Sequence, residues 1–250
     1  MQMMRFFIIL QYDSRMKVKV GFNLEWEVLN WYETICGNSI YGLNSGNKWP
    51  LGKIPEDVPD QINCQDKDVA LDKIKKLVLK MMEEPKNKNF MEAVMEAAEK
   101  RWVTVEDEYL GKLSKMLDVP RSNFWDDYQA YFTFAVRSPF GQNAFMFSGF
   151  QKFIDSAAHE VMHIEFLRAY YDHCKEKGLS DLQIGNLKEV LTVLLNIDMS
   201  DILTKLDEGY TDHQEIRKKI SELYIQNGGA GGEFTEFLDK AIDLAKDLKK

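Results

Sequence analysis

Histidine and cysteine are scarce in this sequence, and no apolar run in it is long. With only four histidines among 250 residues, a closely spaced pair carries weight. Cys36, Cys64 and Cys174 are odd in number, far apart and form no C-x-x-C pair. They speak against a disulfide framework and fit a reduced compartment. No segment reaches the length of a membrane span. The run Phe6–Leu10, preceded by Arg5, is too short for the apolar part of a signal peptide, and no small-residue cleavage site follows. Residues 1–15 read as an extension or one more strand. A basic stripe is also missing apart from the terminal lysines: net charge is −8 and pI is near 5.2. These absences predict a cytoplasmic protein with neither nucleic acid nor membrane as partner.

What is present reads as an ordinary globular chain, 45% hydrophobic and 29% charged. Its length allows one large domain or two small lobes. Met16, Val18, Val20, Phe22, Leu24, Trp26 and Val28 alternate with polar residues, which predicts one long half-exposed strand. Residues 36–66 are rich in Gly, Asn, Pro and Asp and read as loop. Helices are expected over 68–84, stopped by Pro85, and over 90–117, with a break near Trp102–Val105. Residues 131–136 and 143–148 read as two strands of a hairpin. Helices follow over 149–177, from Ser180 or Asp181 to about 196, from an Asp212 cap to Gln226, and over 234–248. Gly228–Gly232 separates the last two as a flexible break.

The most informative stretch is His159-Glu160-Val161-Met162-His163. Four residues of α-helix amount to about 40° of rotation and about 6 Å of rise, so both imidazoles face one side. Glu160 lies about 60° from His163 and flanks that side. Two neutral nitrogen ligands with a carboxylate beside them suit a metal ion that activates water. The surrounding helix is apolar nearly all round, through Phe153, Ile154, Ala157, Ala158, Val161, Met162, Ile164, Phe166 and Leu167, the pattern of a buried helix. Buried polar groups need partners, and a metal is one. The plainer alternative is two core histidines satisfied by carbonyls, with Glu160 in an ion pair.

HEVMH on a buried helix resembles the zincin metallopeptidases. The motif itself covers five residues, and a looser likeness runs from about Tyr131 to His213. The resemblance implies Zn²⁺ on His159, His163 and a third protein ligand, with Glu160 activating water. It also implies an α+β fold: a small mixed or antiparallel sheet over backing helices, a buried active-site helix and a mainly helical C-terminal lobe. The expected division is residues 1–178, carrying the motif helix, and 179–250, supplying the third ligand. Asn143–Ser148 is the candidate edge strand for an extended peptide, or else an internal strand.

The metzincin branch continues the motif with Gly and a third His or Asp, and Ile164–Ala169 holds neither. Glu165 points about 200° away from His163, and His173 is about 15 Å further along the helix. Gluzincins take a Glu from the next helix, which Glu189 matches in order and distance. The usual Asn-Glu pair is here Lys188-Glu189, a departure from the pattern. Asp201, Asp207 and Glu208 are the reserves. The likeness also implies a Tyr or His that stabilises the transition state, for which Tyr210 and His213 are the candidates. Gly209 permits a tight turn ahead of them. The expected function is hydrolysis of a peptide or protein substrate. The alternatives are a non-catalytic scaffold of the same fold and a zinc hydrolase acting on a non-peptide amide. Oligomeric state is not legible.

Overall fold

The computed structural model describes residues 17–37 and 48–246. The expectations for residues 1–15, for a strand start at Met16, for 38–47 and for a helix end at Leu248 fall outside them. The chain divides into two compact units. One holds the described residues up to Val103 together with Asp127–Phe153; the other holds Thr104–Asp126 and the described residues from Ile154 onward. The boundary expected at residue 178 falls inside the second unit.

The first unit contains β1 (Val18–Gly21), α1 (Leu24–Cys36), α2 (Lys67–Glu83), α3 (Pro85–Trp102), β2 (Tyr128–Phe132) and β3 (Ala144–Phe147). The long strand expected over 16–28 is corrected here. Asn23 accepts hydrogen bonds from the Glu25 and Trp26 N–H groups, both at 3.1 Å, and so caps a helix. Beyond it the buried residues are Glu27, Val28, Asn30, Trp31, Thr34 and Ile35, a helical stripe. The alternation was a strand and a helix start read as one element.

The expected hairpin is also corrected. The sheet order is β1-β2-β3, and both pairs run parallel, with Val18 opposite Tyr128 and Gln129 opposite Ala144. After Phe132 the chain leaves the sheet for Glu27, whose carboxylate accepts the Phe134 N–H at 2.9 Å and the Trp31 indole N–H at 2.6 Å. The Thr133 hydroxyl oxygen accepts the Ala135 N–H at 3.1 Å. These bonds carry the backbone out of line for a tight antiparallel return. Burial pushes the Glu27 carboxyl up to about 7, against the hydrogen bonds from Thr133, Phe134 and Trp31. Trp31, Trp102, Phe132, Phe147 and Phe153 are core residues of this unit.

The reading of the cysteines as evidence against a disulfide is corrected as well. Cys36, at the end of α1, is disulfide-bonded to Cys64, and Cys174 is a buried free thiol.

The second unit is helical: α4 (Glu106–Met116), most of α5 (Phe153–Glu176), α6 (Asp181–Leu191), α7 (Val193–Asp198), α8 (Gln214–Gln226) and α9 (Phe234–Ala245). Ser180 and Gln183 form a capping box on α6. The helix expected to reach residue 196 divides at Thr192, whose hydroxyl lies 2.8 Å from the Glu189 carbonyl oxygen. Asp212 does not cap α8, because a 3-10 turn over Thr211–His213 precedes it. The Tyr109 hydroxyl donates to the Ala158 carbonyl at 2.6 Å and ties α4 to α5. The architecture is thus mixed helix and strand, with a small parallel sheet. No helix among the described residues is long and apolar enough to cross a membrane.

Candidate metal centre

The site lies within the second unit. The α5 helix carries His159, Glu160 and His163, with His163 fully buried and His159 partly open. The four-residue spacing brings the two rings within 4.3 Å, centroid to centroid. The α6 helix adds Glu189, whose Oε2 lies 3.2 Å from His163 Nε2 and 3.4 Å from His159 Nε2. Among the described residues, the ligand atoms of His159, His163 and Glu189 form a group that could hold a metal ion, all within 4.8 Å of one another. For ligands about 2.0–2.1 Å from a tetrahedral ion, the distance between ligand atoms is about 3.3 Å. Both Glu189 distances match it.

Glu160 is buried beside them, and its Oε2 has no hydrogen-bond partner among the described residues. Burial pushes its carboxyl up to about 7; His159 opposes the rise and Glu189 adds to it. A buried acid with an unoccupied oxygen, poised near neutrality, suits proton transfer to a bound molecule.

The two imidazoles differ in charge. Burial and the neighbouring His159 push His163 down to about 3, so it is neutral and its nitrogens can act as ligands. Burial alone would also lower His159, but hydrogen bonds to Asp207 and Glu189 outweigh it and raise its pKa to about 10. Asp207 Oδ2 lies 2.7 Å from His159 Nδ1, which leaves Nε2 facing Glu189. Such a carboxylate fixes both the tautomer and the ring orientation of a ligating histidine.

Asp207 is itself held. Arg217, buried on α8, donates to Asp207 Oδ1 at 2.8 Å and to the Thr192 hydroxyl at 2.8 Å. Asn196 and Asp207 exchange two bonds, Asp207 N–H to Asn196 Oδ1 at 2.7 Å and Asn196 Nδ2 to the Asp207 carbonyl at 2.9 Å. Burial would raise the Asp207 carboxyl, but His159, Arg217 and Thr192 hold it well below the usual range. Gly209 is required next to this guanidinium. Its φ is +61°, and a Cβ there would lie 2.6 Å from an Arg217 nitrogen.

Glu189 stays ionised. Burial acts against this and is outweighed by His163, His159 and Lys188. Lys188 is buried and bonded through Nζ to Glu189 Oε1.

The other expected residues are placed as follows. His213 is buried at the start of α8, near enough to Glu189 to feel its charge, and its Nδ1 has no hydrogen-bond partner among the described residues. Burial pushes the His213 pKa down. Tyr210 packs edge-on against His213, ring centroids 5.5 Å apart. Glu165 turns away from the cluster, as expected, and is buried against Arg168 at 2.8 Å and the Trp125 N–H at 3.2 Å. His173 pairs with Asp239 at 2.7 Å. Among the reserve ligands, Asp201 pairs with Lys112, and Asp207 holds a histidine rather than joining the cluster.

Arg217 is the neighbour of the cluster that sequence reasoning missed. Its signal was present: with Ile220 and Tyr224 it lies on the buried stripe of α8, where an arginine requires a partner. No family model, curated protein or solved structure matches the chain.

Proposed function

We propose that this protein is a zinc-dependent peptidase of the zincin kind, gluzincin-like in taking its third ligand from the helix after the motif. The observation that carries this reading is Glu189 Oε2 at 3.2 and 3.4 Å from the two Nε2 atoms, the separations expected in a tetrahedral site. His159, His163 and Glu189 would hold the ion. When bound, zinc would supply an electrophilic centre that polarises a scissile carbonyl and acidifies water. Glu160 would take the proton of the attacking water and pass it to the leaving amine, a role that its carboxyl, poised at about 7, suits. Asp207, clamped by Arg217, keeps His159 Nε2 turned towards Glu189. Tyr210 and His213 are the candidate donors to the oxygen on which negative charge develops. The proposed location changes from that expected: a Cys36–Cys64 disulfide fits an oxidising compartment, so the cysteines no longer support the cytoplasm.

Metal analysis of the purified protein, together with Glu160→Gln, tests the reading. The protein should carry one equivalent of zinc and cleave a mixed peptide library. The variant should keep the zinc and lose about 10²–10⁴-fold in rate. A protein that takes up no zinc, or a variant that cleaves as well as its parent, would overturn it.

A further inference from the structure

The two oxygens of Glu189 serve different cations. Oε2 faces both imidazole Nε2 atoms, while Oε1 is bonded to the ammonium of Lys188, the residue immediately before it on α6. We propose that Lys188 is a positioning residue of the metal centre, which occupies Oε1, restricts Glu189 to a single ligating oxygen and weakens the site's hold on a divalent cation. The inference deepens the zinc reading and rests on it.

Consecutive helical residues point about 100° apart, so a lysine here would ordinarily reach for solvent. Lys188 is instead only 4% exposed. Burying an ammonium is costly unless it is paired, and its partner is the carboxylate that completes the metal cluster. Two neutral imidazoles and one carboxylate make a set of charge −1. Lys188 brings that set to zero, and Arg217 offsets Asp207 in the same way. Without metal, the ammonium holds the Oε1 side of Glu189 in place. With metal, the same ammonium repels the ion and leaves it more electron-poor. A carboxylate free at both oxygens can bind a metal through one or both; one whose Oε1 is engaged binds through Oε2 alone.

Cobalt(II) put in place of zinc reports coordination directly, because a four-coordinate ion absorbs visible light more strongly than a five-coordinate one. Lys188→Met removes the charge at similar length, Lys188→Gln keeps a polar end, and Lys188→Arg retains the charge. Chelator competition should show zinc bound at least about tenfold more tightly by the Met and Gln variants. Their cobalt band should weaken as Glu189 becomes bidentate. The metal-free melting temperature should fall in both and recover on adding zinc. Lys188→Arg should keep the affinity and the spectrum of the parent. Affinity within twofold of the parent, with an unchanged cobalt spectrum, would reduce Lys188 to a packing residue even if melting temperature fell. A parent protein that bound neither metal would remove the zinc reading and this inference together, a result separable from the first by the parent alone.

Discussion

Zinc binding should take about one proton per ion from His159 at pH 8, over and above any lost by water on the ion. In the metal-free protein this imidazole lies between Asp207 at Nδ1 and Glu189 at Nε2, with its pKa raised to about 10. The Nδ1 proton stays on the imidazole, donated to Asp207, whereas the Nε2 proton must leave before that nitrogen can act as a ligand. At pH 7, roughly three units below the pKa, removing it costs about 4 kcal/mol. Apparent zinc affinity should therefore be about 10³-fold weaker at pH 7 than above pH 10, and should tighten about tenfold per unit in between. His163, pushed down to about 3, contributes no proton. Glu160, at about 7, is already largely ionised at pH 8. An unperturbed imidazole, with a pKa of about 6.5, would add almost no slope above pH 7. Titration calorimetry at pH 8, in two buffers of different ionisation enthalpy and with a competing chelator, measures the released proton. Asp207→Asn should lower both the release and the slope, because it removes the carboxylate that raises the His159 pKa. Flat affinity from pH 7 to 9, with no proton released, would refute the assignment of charge to His159.

Glu27→Gln tests the buried carboxyl of the first unit. Its pKa in the folded protein, about 7, exceeds the ordinary 4.5. The stability it contributes is therefore complete below pH 4.5 and lost as pH rises through 7, up to about 3 kcal/mol. The variant should melt higher than its parent at pH 8 and converge with it near pH 5, with Glu160 retaining a slope of the same sign. Glu189→Ala should abolish tight zinc binding. Glu165→Ala should keep the zinc and lose about 1–3 kcal/mol in denaturant titrations, because Arg168 and the Trp125 N–H lose a buried acceptor. Tyr210→Phe should lower kcat about 10²-fold at unchanged zinc content if its hydroxyl stabilises the developing charge. An unchanged kcat there, with a comparable loss in His213→Gln, would move that role to the histidine.

Much of the second unit could be read from local chemistry. The apolar wrapping of 153–167, the stop at Gly178 and the Ser180 cap are short-range signals, and α5 and α6 follow them closely. The spacing of His159, Glu160 and His163 is a property of one helix, so a single sequence could reveal it. Glu189 was reached through the resemblance to gluzincins, which take a Glu from the next helix, with Asp201, Asp207 and Glu208 held in reserve. The first unit was harder. Alternation over 16–28 joined two elements, since a period of two and the first turns of a helix share several apolar positions, and only Asn23 marks the join. Strand direction was out of reach for the same kind of reason. The 144–147 strand runs parallel to β2, and the chain leaving β2 is bonded at the Phe134 N–H to Glu27, more than a hundred residues away. The Cys36–Cys64 bond likewise depends on where α1 ends relative to the segment before α2.

At the site the division is the same. The sequence alone pointed to His159, His163 and Glu189, the residues that come together in the cluster, because ligand type and helical spacing are local. Tertiary structure alone decided their charge states: Asp207 on His159, Arg217 on Asp207 and Lys188 on Glu189 are contacts made by burial. Burial is the largest cause of the rise at Glu160 and the fall at His163, and burial is not a local property of the sequence. A proton's free energy depends on every charge and dipole packed around it, and the chain sets those only once it has folded.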